Sequence, residues 1–286
     1  MSSLPADPLM GELVGPYRIE GLLGRGGMGR VYLANAHRGA PVALKLVRRD
    51  LSRDGVFRKR FEREARIARQ VVNAHLVPVI DFGEHDGVPF LVQRFIGGGT
   101  LEDLLARDGR LQVEVALGIA GQMAEGLAAL AAHGMVHRDV KPANVMLDEL
   151  GTAYITDFGL ARDLKGTALT RLNHALGSPH YMSPEQIRGE PVSSASDVYS
   201  LGCVLFECLS GDPPFANVHG MRVMFAQLTE APPDPCQGLS APPELGMEVL
   251  RALAKEPGDR PSGAIEYIQS LYAVVGLEAV ARGSES

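Results

Sequence analysis

His137-Arg138-Asp139-Val140-Lys141-Pro142-Ala143-Asn144 gathers a carboxylate, an ammonium and an amide in one loop-length stretch. Those residue types at that spacing suit transfer of a phosphoryl group to a hydroxyl. Asp139 orients the attacking hydroxyl and accepts its proton, Lys141 neutralises the moving phosphoryl, and Asn144 binds a metal ion. An Asp five residues before an Asn arises easily by chance, but the full H-R-D-x-K-x-x-N string very rarely does. His137 reads as a packed core histidine rather than an acid or base. Arg138 suits a phosphate group, which a guanidinium grips through two parallel hydrogen bonds.

Downstream, Ala153-Tyr154-Ile155-Thr156 reads as a short strand ending at Asp157-Phe158-Gly159. Asp157 is placed to chelate Mg²⁺ bridging the β- and γ-phosphates of a nucleotide. The same tripeptide occurs at Asp81-Phe82-Gly83, but it precedes the catalytic string and reads only as a strand running into a turn.

Upstream, Gly24-Arg25-Gly26-Gly27-Met28-Gly29-Arg30-Val31 fits G-x-G-x-x-G-x-V. Glycines let backbone amides approach a phosphate chain. Such spacing also marks dinucleotide folds, but there a helix follows the glycines. Here Val31-Tyr32-Leu33-Ala34 follows, another strand, so the glycines form a hairpin lid. Leu23 and Val31 flank it, positioned to cover an adenine ring. In Val42-Ala43-Leu44-Lys45-Leu46-Val47, strand alternation puts Ala43 and Lys45 on one face and Val42, Leu44 and Leu46 on the other. Lys45 then serves the phosphates, or is an ordinary surface lysine. The next helix favours the first reading. Phe57, Phe61, Glu64, Ala68 and Val71 share a stripe at helical spacing, which turns Glu64 inward, where a carboxylate needs a cation such as Lys45. A rotated helix with Glu64 in solvent is the alternative.

The elements that must carry these groups fall into two textures. From about 15 to 95, short β-like runs (PYRIEGLLG, GRVYLANA, PVALKLV, LVPVIDFGE, PFLVQRFI) alternate with turns such as Asp86-Gly87, and one helix interrupts them from about Val56 to Val71. After Gly97-Gly98-Gly99 the pattern turns helical, with helices expected at Thr100–Arg107, Gln112–His133, Ser196–Ser210, His219–Thr229, Pro243–Lys255 and Ser262–Val275. The apolar run Val115–Val136 is interrupted by Gln122, Glu125 and His133, so it reads as a buried core helix.

Composition narrows the classes. The chain has 286 residues, 45% hydrophobic and 22% charged, enough for two modest units each with a core. A net charge of −6 argues against broad nucleic-acid binding. Cys203, Cys208 and Cys236 form no C-x-x-C pair and an odd set, which points to free thiols in a reducing compartment. The opening MSSLPADPLMGELVG lacks the pattern of a secretory signal.

With GRGGMGRV, VALK, Glu64, HRDVKPAN, DFG, Ser183-Pro184-Glu185, Asp197–Gly202 and Arg260 in order, the chain resembles eukaryotic-like (Hanks-type) bacterial serine/threonine protein kinase catalytic domains, most closely receptor-type kinases of actinobacteria. The resemblance runs from Pro16 to about Val275. It implies an α+β, bilobal protein-kinase fold, with a small β-sheet lobe carrying one regulatory helix and a larger, mainly helical lobe. The implied division is an N-terminal tail at 1–15, an ATP-binding small lobe at 16–96, a catalytic and substrate-binding large lobe at 97–276 and a tail at 277–286. Implied cofactors are ATP and Mg²⁺ (or Mn²⁺). Asp197 would anchor the catalytic loop, Glu185 would pair with Arg260, and Met146 would lie below the adenine. Lys141, two residues after Asp139, resembles the serine/threonine class.

Four departures bear on regulation and specificity. Ser183 stands where Ala is usual, and Ser178 where a substrate-facing Thr is usual, its hydroxyl able to make the same bond to Asp139. Gln93 occupies the gatekeeper position, with Arg94-Phe95-Ile96 as the adenine-reading hinge. Thr170, ahead of Thr167, is the expected activation-loop phosphosite, with Arg138 as its partner, and Leu172 in place of a second tandem threonine implies single-site control. Expected partners are proteins with Ser/Thr acceptors and a second copy of the chain for trans-autophosphorylation. The expected location is cytoplasmic, with any membrane link made through a segment outside this chain. Two other functions compete. A pseudokinase scaffold usually lacks one of Lys45, Glu64, Asp139, Lys141, Asn144 and Asp157, and none is missing here. A small-molecule kinase is disfavoured by Gly177–Glu185, which looks built for an extended peptide.

Overall fold

The computed structural model describes residues 7–36, 39–158 and 179–277. Among them the chain forms two compact units, one of residues up to Val72 plus Val77–Gly97, the other of Asn73–Leu76 plus the residues from Gly98 on.

The first unit is a six-stranded antiparallel sheet. Its strands are β1 (Leu13–Val14), β2 (Tyr17–Gly26), β3 (Gly29–Ala36), β4 (Pro41–Val47), β5 (Val79–His85) and β6 (Val88–Arg94), in the order β1-β2-β3-β4-β6-β5. Opposite residues of an antiparallel pair share a face. Tyr32, Leu44 and Val92 are in register, and so are Ala34 and Val42; with Val14, Tyr17, Ile19 and Phe90 they make one buried cluster. Val31 faces Lys45, and Leu33, Ala43 and Gln93 face one another in turn, on the other side. The alternation read in VALK is thus realised, with Val42 and Leu44 inside the core. Asp86 and Gly87 both take left-handed backbone (φ 49° and 74°), the requirement of a two-residue hairpin turn between β5 and β6.

Residues 7–15, within the expected tail at 1–15, depart from that reading. Leu13–Val14 pair with β2, and Val14 is fully buried in the sheet core. A two-residue strand has too short a pattern to show in sequence. A four-residue helical turn, α1 (Arg49–Ser52), precedes the main helix α2 (Gly55–Ala68). Asp54 caps α2 by accepting the Val56 and Phe57 amides. Phe57, Phe61, Ala65 and Ala68 are its buried stripe, and α2 ends before Val71, which is buried in the segment that follows.

The second unit is mainly helical: α3 (Leu101–Asp108), α4 (Val113–Ala132), α5 (Pro184–Arg188), α6 (Ser194–Ser210), α7 (Met221–Thr229), α8 (Pro243–Arg251) and α9 (Ala264–Val275), with a hairpin of β7 (Val145–Leu147) and β8 (Ala153–Ile155). Thr100 and Asp103 form a reciprocal capping box that starts α3. Helix α4 is long and apolar enough to cross a membrane, but more than half of it is buried inside the unit, as expected of a core helix. It packs on α6, α9 and β8. Gly126 allows the close approach to β8 and the segment beside it, since a side chain there would press on the His75 carbonyl, Leu76 and Ile155. Helix α8 stops four residues short of Lys255, and the five-residue α5 was not anticipated because one turn carries no periodicity. Leu76, expected to open a strand, joins the second unit instead, along with His75, whose carbonyl accepts the Ile155 amide at 2.8 Å.

Candidate active site

Arg138 and Asp157 hold left-handed backbone (φ 72° and 63°), rare for side-chain-bearing residues. Arg138 is secured from both sides. Its amide donates to Asp197 Oδ1 and the His137 amide to Asp197 Oδ2, both at 2.8 Å, while its carbonyl accepts from Gln186 Nε2 at 2.8 Å. Asp197 is 4% exposed, and burial pushes its carboxyl above the usual range despite the two amides and the nearby His137. His137 is fully buried and uses both ring nitrogens. Nδ1 accepts from the Asp139 amide at 3.2 Å, and Nε2 lies 2.9 Å from the Thr156 carbonyl, to which it donates. It is the packed histidine expected from sequence, and its bonds link the catalytic string to the strand before Asp157.

Around Asp139 the side chains converge. Lys141 Nζ lies 2.8 Å from Oδ2, and Asn144 Nδ2 donates to the same oxygen at 2.9 Å and to the Asp139 carbonyl at 2.7 Å. A 3-10 turn at Pro142–Asn144 brings the amide back to the carboxylate, and the Thr156 amide closes on the Asn144 carbonyl at 3.0 Å. Because the Asn144 amide nitrogen is committed to Asp139, its side-chain oxygen is the atom presented to a cation. An amide oxygen is a hard donor of the kind that Mg²⁺ or Mn²⁺ takes, and so is a carboxylate such as that of Asp157. Met146, in β7 opposite Tyr154, is half-buried in the second unit.

In the first unit, the glycine-rich segment forms the β2–β3 hairpin, with Gly24 opposite Val31, Arg25 opposite Arg30 and Gly26 opposite Gly29. Its glycines have different jobs. A Cβ on Gly29 would lie 2.0 Å from the Leu46 carbonyl, so strand packing alone demands glycine there. A Cβ on Gly24 or Gly26 would meet nothing within 4 Å, which leaves room for a ligand. The turn between them is held by Arg48, a residue that sequence reasoning did not single out. Its amide donates to the Met28 carbonyl at 2.8 Å and its Nη1 to the Gly27 carbonyl at 3.2 Å. With those carbonyls drawn toward Arg48, the Met28 and Gly29 amides of the same peptide planes point the other way, as phosphate binding requires. A bidentate pair with Asp50 holds the Arg48 guanidinium (3.0 and 2.7 Å).

Leu23 is exposed, while Val31, Ala43 and Lys45 are half-buried on the sheet face described above. Glu64 keeps 13% of its side-chain surface and lies 3.9 Å from Arg60 Nε, whereas Glu62 keeps 59% and pairs with Arg66. The inward and outward glutamates fall as the helical stripe predicts. Gln93 is buried opposite Ala43, Ile96 is buried and Phe95 half-buried. Asp81, of the early DFG copy, lies within β5 and accepts the Tyr17 hydroxyl at 3.0 Å; burial and that bond push the phenol up to about 12. Thr167, Thr170 and Ser178 lie outside the described residues.

Behind the catalytic loop, Arg260 clamps Glu185 through two 2.8 Å bonds, and Ser196 Oγ adds a third at 2.6 Å. Ser183, fully buried, starts α5; its amide and hydroxyl donate to Gln186 Oε1 at 3.0 and 3.1 Å. Gln186 therefore ties the segment that starts at Ser183 to Arg138, a link only visible once the two segments are folded together.

A family model described as protein kinase domain matches residues 17–271. Serine/threonine-protein kinase PknD of Mycobacterium tuberculosis is 40% identical over 258 residues, covering 89% of this chain and 39% of that protein. PknH of Mycobacterium bovis is 40% identical over 260 residues, covering 90% and 44%. The chain thus spans less than half the length of these relatives. Among solved structures, the PknI kinase domain of Mycobacterium tuberculosis superposes with a TM-score of 0.75 at 28% identity, covering 94% of this chain and 99% of that one. The chain belongs to the protein kinase domain family.

Proposed function

We propose that this domain transfers the γ-phosphate of ATP, bound with Mg²⁺ or Mn²⁺, to Ser and Thr hydroxyls of proteins. It is a serine/threonine protein kinase domain, in keeping with its 40% identity to PknD and PknH. The observation that carries the mechanism is the convergence of Lys141 and Asn144 on Asp139 Oδ2.

With Oδ2 occupied by two donors, Oδ1 is the Asp139 oxygen assigned to the substrate hydroxyl, which it orients and from which it takes the proton. Lys141 turns its ammonium toward the phosphoryl as charge moves to the acceptor. When bound, Mg²⁺ offsets the negative charge of the β- and γ-phosphates, and Asn144 and Asp157 are the residues that would hold it. Lys45, oriented by Glu64, is assigned to the phosphates, together with the amides of Gly24–Gly29. Leu23, Val31, Ala43 and Met146 are assigned to the adenine faces, and the Gln93, Phe95 and Ile96 region to its edge. Phosphoryl transfer needs little more from a protein than this positioning and charge compensation.

Phosphorylation of Thr170 or Thr167, read by Arg138, is the proposed regulation; Ser178 is the proposed substrate-facing hydroxyl. Two copies of the chain would supply that phosphate to each other. A cytoplasmic setting agrees with three free, buried cysteines. The scaffold alternative finds no support among relatives that are themselves named kinases.

The test is labelling of the purified domain, and of a generic basic protein, with ATP and Mg²⁺, beside Asp139→Asn. Phosphoserine or phosphothreonine should form in the wild type, and the variant should lose at least about 10³-fold in rate while binding ATP as before. Equal turnover in Asp139→Asn would overturn the assignment, and no labelling at all would overturn the activity.

A further inference from the structure

One buried carboxylate touches both arginines of the glycine-rich hairpin. Asp7 lies just ahead of the sheet, with 5% of its side chain exposed. Its Oδ2 is 3.0 Å from Arg30 Nη1 and 3.9 Å from Arg25 Nη2. Its Oδ1 accepts the Tyr32 hydroxyl at 3.1 Å and the Leu9 amide at 3.2 Å. We propose that Asp7 is a positioning residue for the glycine-rich loop, bracing the hairpin stem so that the turn amides keep the arrangement that receives a phosphate chain. This rests on the nucleotide-binding reading above.

Arg25 and Arg30 are directly opposite in the β2–β3 ladder, one step from the Gly26–Gly29 pair that closes the turn. Like charges across an antiparallel pair push the strands apart. Glycines resist such splaying poorly, because they have no side chains to pack. A carboxylate between the two guanidiniums turns repulsion into a three-charge cluster. Asp7 is held there by more than charge. The Gly11 amide donates to the Ile19 carbonyl and the Ile19 amide to the Glu12 carbonyl, both at 2.9 Å, and Leu9 packs on the sheet core. The segment is a docked strap, and its tyrosine partner, Tyr32, is fully buried.

The experiment uses the whole chain and the variants Asp7→Asn, Asp7→Glu and Asp7→Asn combined with Arg25→Gln. Two quantities are read: amide hydrogen exchange over residues 24–30 without nucleotide, and the Kd for a non-hydrolysable ATP analogue with Mg²⁺. Asp7→Asn should speed exchange in that segment and raise Kd about threefold to tenfold, with kcat at saturating ATP within about twofold of wild type. Asp7→Glu should recover part of both. The double variant should recover loop protection, since it removes one of the two opposed charges, and it keeps the idea testable should Asp7→Asn fold poorly. Unchanged exchange and Kd in Asp7→Asn would overturn the proposal, as would a lower Tm with no local change at 24–30. Failure of the wild type to bind the analogue would instead sink the nucleotide reading, while the exchange measurement still decides whether Asp7 braces the loop.

Discussion

Replacing Glu185 by Gln removes one charge from a pair that has almost no contact with water. The Arg260 side chain is 0% exposed and that of Glu185 3%. Burial pushes the Glu185 carboxyl up, but the Arg260 and Ser196 hydrogen bonds outweigh it and hold the group at about 2, against an ordinary value of 4.5. Each unit of that difference is worth about 1.4 kcal/mol, so ionised Glu185 contributes about 3 kcal/mol to folding at neutral pH. Breaking a buried pair by removing one partner costs about 3–5 kcal/mol. The low end applies here, because Arg260 keeps the carbonyls of Ala254, Ala195 and Lys255 and sits 4.9 Å from the Tyr199 ring.

The sign of the pH dependence follows from the lowered value. The contribution is fully present above about 4.5 and is lost as pH falls through about 2. Urea unfolding followed by far-UV circular dichroism should show Glu185→Gln destabilised by about 3 kcal/mol at pH 7, narrowing to about half that or less by pH 3. A gap that stays constant over that range, or one under about 1 kcal/mol at pH 7, would refute the assignment of the stabilisation to an ionised pair.

The two kinds of glycine in the hairpin should separate in a thermal-shift assay with and without an ATP analogue. Gly29→Ala must push apart β3 and β4, since its Cβ would lie 2.0 Å from the Leu46 carbonyl, and it should lower Tm by several degrees without nucleotide. Gly24→Ala meets no protein atom, so Tm without nucleotide should hold while the analogue-induced shift shrinks. Asp197→Ala orphans the His137 and Arg138 amides, each costing about 1–3 kcal/mol when buried without an acceptor, and it frees the strained Arg138 backbone. Turnover should fall more than about tenfold while KM for ATP stays close to wild type; a change confined to KM would contradict the anchoring role.

What could be read in advance was whatever repeats at short range or condenses into one string. The two-residue period of β4 sorted Lys45 from Leu44, and the helical stripe of α2 sorted Glu64 from Glu62. The catalytic string carried its own geometry, because Lys141 and Asn144 reach Asp139 from two and five residues away. Asp7, Arg48 and Gln186 were invisible for the opposite reason. Each acts on a segment 18 to 48 residues distant, and nothing in its own neighbourhood marks it. Short elements failed likewise: β1 and α5 are smaller than the periods that would reveal them.

Those distant residues share a purpose that explains why the motif alone does not specify the site. A non-glycine residue in left-handed backbone costs about 1–3 kcal/mol and persists only where its surroundings over-determine it. Arg138 pays this within the catalytic string, so the string would relax if left to itself. Asp197 grips the amide of Arg138 and Gln186 grips its carbonyl, and these come from α6 and α5. Gln186 in turn is fixed by Ser183, and Glu185 beside it by Arg260. The orientation of Asp139 is therefore set by a chain of bonds that begins at Arg260. Loss of the Glu185–Arg260 clamp should lower turnover as well as stability, through a group that touches no reacting atom.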